Sequence, residues 1–311
     1  MSYLYLLDGS ALFYRAYFAF IRRPLINSKG KNTSAIFGFT QTLLKILKEK
    51  KPEYFGIVFD TGKPTFRHKY FADYKAQRPK MPEEMRHQLP PIKEIISALS
   101  LKLLEVEGFE ADDVIATLAK KAEKQNIKTV IISGDKDFLQ LVNENIHLLK
   151  PKIAGGEETL YDPQKVETEM GVKPYTIPEV LALCGDSIDN VPGVPGIGEK
   201  TALKLIKEYK NLESLWENLN EVPKFKEKLL ALREQVLLAR ELLKLHTDVP
   251  LSFDLDELKV FHFDKTKLIG IFKELEFNRL LNELTDEGVK QEEPVYQKID
   301  TTEKDDSSNS R

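Results

Sequence analysis

Cysteine is almost absent: one, Cys184, stands in 311 residues. That excludes an intrachain disulfide framework and suits a reducing compartment. No uncharged apolar run approaches the roughly 18–20 residues that a membrane helix requires. The opening Met1-Ser2-Tyr3-Leu4-Tyr5 lacks a charged n-region and a small-residue cleavage site, so no export signal is expected. Histidine is scarce as well, and its five positions show no metal-ligand spacing. The phosphate loop Gly-x-x-x-x-Gly-Lys-Ser/Thr is missing, which excludes a Walker-type NTPase. Asp8-Gly9-Ser10 lacks the second aspartate that a haloacid-dehalogenase-type phosphatase would carry. No repeat of solenoid length is evident.

An excess of either charge is also lacking, the formal net charge being −3. That value is an average over unlike parts. Residues 286–311 carry 8 acidic and 4 basic side chains, which leaves +1 for residues 1–285. If the nine carboxylates described below share one pocket, the surface around them carries +10. An acidic site within a basic envelope suits an enzyme that cuts phosphodiesters.

Three short apolar runs, Leu4 to Leu7, Phe55 to Phe59 and Thr129 to Ser133, lead into Asp8, Asp60 and Gly134-Asp135. Stretches of helical period lie between and beyond them, at Ser34 to Lys50, Glu84 to Leu99 and Glu110 to Lys124. Buried strands alternating with helices predict an α/β fold with a mostly parallel central sheet. In such sheets ligands bind beyond the carboxyl ends of the strands, where these aspartates converge. The expected division is an α/β core over 1–175, a helical subdomain over 176–285, and a disordered tail or linker over 286–311. In the subdomain Glu199 to Lys210, Leu212 to Leu219 and Lys224 to Leu245 read as helical, after a loop containing Gly155-Gly156.

Nine acids stand where loops should meet the sheet edge: Asp8, Asp60, Glu110, Asp112, Asp113, Asp135, Asp137, Asp186 and Asp189. Taken one at a time, an aspartate after a strand is as well explained as a helix cap or turn residue. Acids in the first turn of a helix also favour its positive end. Gathered at one edge, however, they would repel and raise one another's pKa unless cations neutralise them. Oxygen donors without histidine or cysteine suit Mg²⁺ or Mn²⁺ rather than zinc. On a regular helix Glu110 and Asp113 share a face that Asp112 does not.

Between Lys63 and Lys93 there are 8 Lys/Arg against 3 acids, interleaved with Phe66, Tyr70, Phe71 and Tyr74. The composition fits a solvated amphipathic loop, and equally a segment that tracks phosphates and stacks on bases. Gly193-Val194-Pro195-Gly196-Ile197-Gly198-Glu199-Lys200 precedes an apolar-faced helix carrying Lys204. Glycines there let backbone N–H groups approach a phosphate, as in the hairpin of a helix-hairpin-helix motif.

Leu7-Asp8-Gly9-Ser10, Val58-Phe59-Asp60, Phe66-Arg67-His68, Tyr74-Lys75, Glu110-Ala111-Asp112-Asp113, Gly134-Asp135-Lys136-Asp137, Gly185 to Asn190 and Gly193 to Lys200 follow one another in that order. Together they resemble the 5′–3′ exonuclease domain of bacterial DNA polymerase I, within the flap endonuclease family, over about residues 3 to 285. The resemblance implies a PIN-like 5′ nuclease fold with a helical arch at about 63–95 and a helix-hairpin-helix at about 185–210. It implies a structure-specific 5′ nuclease, exonuclease and flap endonuclease, hydrolysing DNA by a two-metal-ion mechanism in primer removal and repair. Asp8, Asp60, Glu110, Asp112 and Asp113 would serve the first metal, and Asp135, Asp137, Asp186 and Asp189 the second. Lys75 and Arg78 would stand near the scissile phosphate, with Tyr74 beside them on the arch and Arg15 close to the reacting group. Gly193, Gly196, Gly198, Lys200 and Lys204 would hold the duplex, with K⁺ at the hairpin. The implied partners are 5′-ended or flapped duplex DNA and RNA-primer/DNA hybrids, met by a monomer in the bacterial cytoplasm that works with, or is fused to, a DNA polymerase. A ribonuclease on a similar pocket and an inactive junction-binding module are the alternatives.

Overall fold

A computed structural model describes residues 3–151, 158–252 and 254–286. The predicted tail and the Gly155-Gly156 loop lie outside the described residues, apart from the end of the last helix. The chain begins with β1 (Tyr3–Asp8), α1 (Gly9–Ala19), α2 (Ser34–Lys50) and β2 (Tyr54–Val58). It continues through α3 (Phe66–Tyr70), α4 (Glu83–Arg86), α5 (Leu89–Ala98), β3 (Lys102–Leu104), α6 (Ala111–Lys124) and β4 (Lys128–Ile132). Next come β5 (Ile146–Lys150), β6 (Thr159–Tyr161), α7 (Pro163–Met170) and α8 (Ile177–Cys184). A two-residue ladder of Gly185–Asp186 with Val191–Pro192 follows, and then come the helices α9 (Glu199–Tyr209), α10 (Leu212–Glu217), α11 (Pro223–Ala231), α12 (Arg233–Leu243), α13 (Lys265–Glu274) and α14 (Asn278–Asp286).

The six strands form one sheet in the order β3-β2-β1-β4-β5-β6. Every pairing is parallel except β5 with β6. Because β2 and β4 flank β1 on opposite sides, the order reverses at β1, and a crevice opens beyond its carboxyl end. Strand alternation divides the core into two layers. Leu4, Leu6, Val58 and Ile131 face α6 and the helical second half, whereas Leu7, Phe55, Ile57 and Ile132 face α1, α2 and α5. No described helix is long and apolar enough to cross a membrane.

The three predicted strands correspond to β1, β2 and β4. The helix read over Glu84 to Leu99 is broken into α4 and α5, because Pro90 and Pro91 lack the N–H groups that would continue it and instead open a new first turn. The single helix read over Lys224 to Leu245 is likewise two, α11 and α12, parted at Leu232. The predicted arch is no continuous helix. It consists of α3, a chain of turns through 71–78, and α4.

Candidate metal centre

Asp8 ends β1 and caps α1. Its Oδ1 accepts from the Ala11 N–H at 2.9 Å and its Oδ2 from the Ser133 hydroxyl at 2.7 Å. Ser133 Oγ in turn accepts from the Asp135 N–H at 3.0 Å, so one buried hydroxyl ties the ends of β1 and β4 together. Asp60, just past β2, accepts from the Ala111 N–H at 2.9 Å at the start of α6, while its own N–H donates to Ser10 Oγ at 2.9 Å. Burial, and then the Asp60 and Asp135 charges, push the Asp8 carboxyl up to about 6 against two opposing hydrogen bonds. Asp112 lies among Asp8, Asp135, Asp60 and Glu110, and burial together with those charges holds it well above the usual carboxylate range.

A second group adjoins the first. Carboxylate oxygens of Asp137, Asp186 and Asp189 lie within 4.8 Å of one another. Burial, then Asp135, Asp189 and Asp186, raise the Asp137 carboxyl to about 8. Asp186 Oδ1 accepts from the Ile188 and Asp189 N–H groups at 2.6 and 3.2 Å, which turns the 186–189 loop back on itself. Convergent, hard oxygen donors this closely spaced fit a divalent cation such as Mg²⁺, Mn²⁺ or Ca²⁺.

Protein cations cover this group. Lys75 Nζ is 2.7 Å from Glu110 Oε1 and 3.5 Å from Asp189 Oδ2, and Arg78 pairs with Asp189 Oδ1. Lys75 adopts φ +55°, a left-handed conformation, held because its N–H donates to the Asp189 carbonyl at 2.9 Å. Burial pulls the Lys75 and Arg78 pKa values down, but the carboxylates outweigh it and raise both. Arg15, on α1, lines a cavity of 170 Å³ with Asp8, Ser133 and Gly134. Burial lowers its pKa against the opposing pull of Asp8.

Two expected roles change. Asp113 is fully buried, and its two oxygens accept from Arg67 Nη1 and Nη2 at 2.6 and 2.8 Å, from the His246 N–H at 2.9 Å and from the Glu110 N–H at 3.2 Å. Four donors use the capacity of a carboxylate, so nothing remains for a metal. Asp112, not Asp113, faces the cluster, because Glu110 sits ahead of the helix as its cap and turns Asp113 inward. Tyr74 is 2% exposed, with its hydroxyl 2.8 Å from Asp189 Oδ2 and 3.1 Å from Glu110 Oε2. Enclosed in this way, it offers no face for a base to stack on.

The glycine hairpin follows directly from the Asp186–Asp189 loop. A two-residue ladder pairs Gly185–Asp186 with Val191–Pro192. A Cβ at Gly193 would stand 2.3 Å from the Cys184 carbonyl carbon, so this glycine serves chain packing. Gly196 has φ +92°, and Gly198 is the N-cap of α9. Lys200 and Lys204 are exposed on α9, while Ala202, Leu205 and Ile206 are buried beneath them. The Pro195 carbonyl accepts from Lys228 Nζ at 2.9 Å, so a potassium ion there would have to displace an ammonium group. Sequence reasoning missed Ser133 and Arg67 as members of the site. Ser133 is the polar residue that closes an apolar run, and that position was the available signal.

Residues 3–171 match the family described as the 5′-3′ exonuclease, N-terminal resolvase-like domain, and residues 172–266 match the 5′-3′ exonuclease, C-terminal SAM fold. The chain is 42% identical over 288 residues to a 5′-3′ exonuclease of Aquifex aeolicus, covering 91% of this chain and 96% of that protein. It is 41% identical over 293 residues to DNA polymerase I of Bacillus subtilis, covering 93% of this chain and 33% of that protein. The chain thus spans about a third of the polymerase's length. Among solved structures, T5 D15 protein co-crystallized with metal ions gives a TM-score of 0.64 at 19% identity, covering 91% of this chain and 98% of that one. The catalytic core of Rad2 in complex with DNA substrate gives 0.62 at 18% identity, covering 91% and 92%. The fold is therefore that of these two proteins, and with both family descriptions spanning residues 3 to 266 the chain belongs to the 5′-3′ exonuclease family.

Proposed function

We propose that this nuclease is a Mg²⁺-dependent, structure-specific enzyme that removes nucleotides from 5′ ends and cuts 5′ flaps of duplex DNA, with Mn²⁺ able to substitute. The observation that carries the reading is the convergence of Asp137, Asp186 and Asp189 beside the Asp8–Asp112–Asp135 group, beneath Lys75 and Arg78. Asp8, Asp60, Glu110 and Asp112 would hold one divalent ion, and Asp135, Asp137, Asp186 and Asp189 the other. Ions held there would supply Lewis-acid stabilisation to a phosphodiester under attack and acidify a water at neutral pH.

The chain's own residues do the rest. Lys75 and Arg78, drawn from the carboxylates to an incoming phosphate, would donate N–H groups to its oxygens where charge accumulates. Arg15 would orient the same phosphate from the α1 side. Lys200, Lys204 and the first N–H groups of α9 would hold the duplex backbone without reading sequence. The reading extends to primer removal and repair in the bacterial cytoplasm, with RNA-primer/DNA hybrids among the substrates and a DNA polymerase as partner or fusion, and likeness to DNA polymerase I supports it. The test is cleavage of a 5′-flap duplex with Mg²⁺, with and without chelator, beside linear single-stranded RNA. Chelator-sensitive cutting of the flap alone is expected. Preferential cutting of the linear RNA would overturn the reading.

A further inference from the structure

Arg67 is the largest fully buried side chain among the described residues, and each of its three nitrogens is hydrogen-bonded. Nη1 reaches Asp113 Oδ2 at 2.6 Å and Glu110 Oε2 at 3.4 Å, and Nη2 reaches Asp113 Oδ1 at 2.8 Å. These contacts tie it to the cap and first turn of α6, on the metal side. Its Nε donates to the Leu242 carbonyl at 2.7 Å and Nη2 to the Lys244 carbonyl at 3.0 Å. Those carbonyls belong to the C-terminal end of α12, which otherwise leaves them unpaired. α12 packs along α8 and on the 191–192 strand, and near its start Gln235 Nε2 donates to the Gly193 carbonyl at 3.3 Å. One guanidinium therefore clamps the foot of a helix whose head supports the glycine hairpin.

Resting on the proposed function, we infer that Arg67 is a positioning residue that sets the spacing between the duplex grip and the metal centre, and thereby the phosphodiester that is cut. The lever is sensitive. An 11-residue helix is about 16 Å long, so a tilt of about 12° at the clamp shifts its head by about 3.4 Å, one nucleotide step. Lysine lacks the planar fork and cannot hold both partners. Truncation of Arg67 alone would strand a buried Asp113 charge, whereas replacing both members by apolar residues removes the clamp without that penalty.

The test compares wild type with Arg67→Lys and with the paired Arg67→Met/Asp113→Leu variant, which serves if the lysine form does not fold. Without DNA or metal, hydrogen exchange of the 194–202 amides should quicken about tenfold in the variants. Unchanged protection there would overturn the link whether or not the protein cuts DNA. On a 5′-flap duplex with Mg²⁺, wild type should cut at one position and the variants at that position and its neighbours, with duplex affinity retained. Variants cutting only where wild type does would overturn the inference, even if their melting temperatures fall. Wild type that leaves the flap uncut would refute the proposed function, while the exchange measurement still decides the clamp.

Discussion

Binding of Mg²⁺ to the metal-free protein at pH 7 should release protons, and the amount follows from two carboxyl groups. Asp137, raised to about 8, is about nine-tenths protonated at that pH, and Asp8, raised to about 6, about one-tenth. Filling both sites requires the ionised forms and so expels about one proton from this pair, with Asp112 adding to it. At pH 9 the share from Asp137 falls to about a tenth of a proton. Titration calorimetry in buffers of different ionisation heat reads the number as the slope of apparent enthalpy against that heat. A slope of zero at pH 7 would refute the reasoning. The same shifts govern stability. Both folded-state values lie above the ordinary 3.8, so the native metal-free protein binds more protons than the unfolded chain. Its stability should therefore fall as pH rises from about 4 through 6 for Asp8, and on through 8 for Asp137. Added divalent ions should reverse the trend.

Lys75→Ala should lower kcat by about 10²–10³ while leaving duplex affinity nearly unchanged, measured by single-turnover cleavage and fluorescence anisotropy. A loss confined to affinity would remove Lys75 from the reacting phosphate. Replacing Lys200 and Lys204 by alanine should reduce the slope of log affinity against log salt by about two, and an unchanged slope would take α9 out of the interface. Gly193→Ala should cost about 2–3 kcal/mol in urea unfolding, because its Cβ would meet backbone at 2.3 Å. Gly198→Ala, where nothing stands within 4 Å, should cost far less.

Much of the architecture was legible because buried parallel strands leave continuous apolar runs, and two of those runs lead straight into an aspartate while a third reaches one a residue later. The short β3, the β5–β6 pair and the break before Pro90 were not, since short strands and helix junctions carry little periodic signal. At the site, residue type and order revealed which acids gather. They could not reveal which way each one points. Asp112 and Asp113 are neighbours of identical chemistry, and only the position of Glu110 as a cap decides which enters the cluster. Arg67 reads as one more cation in a basic segment, and its burial depends on α12, some 170 residues later in the chain. Tyr74 looked like a stacking platform because composition cannot tell a phenol that meets a base from one enclosed between two carboxylates.

In the proposed function these carboxylates form a centre for two divalent ions. Crystals soaked in Mn²⁺ and measured at the manganese edge test it most directly. Two anomalous peaks are expected, one among Asp8, Asp60, Glu110 and Asp112, the other among Asp135, Asp137, Asp186 and Asp189, with Lys75 displaced from Glu110. Density without a peak at either position, with Lys75 still seated on the carboxylates, would contradict it.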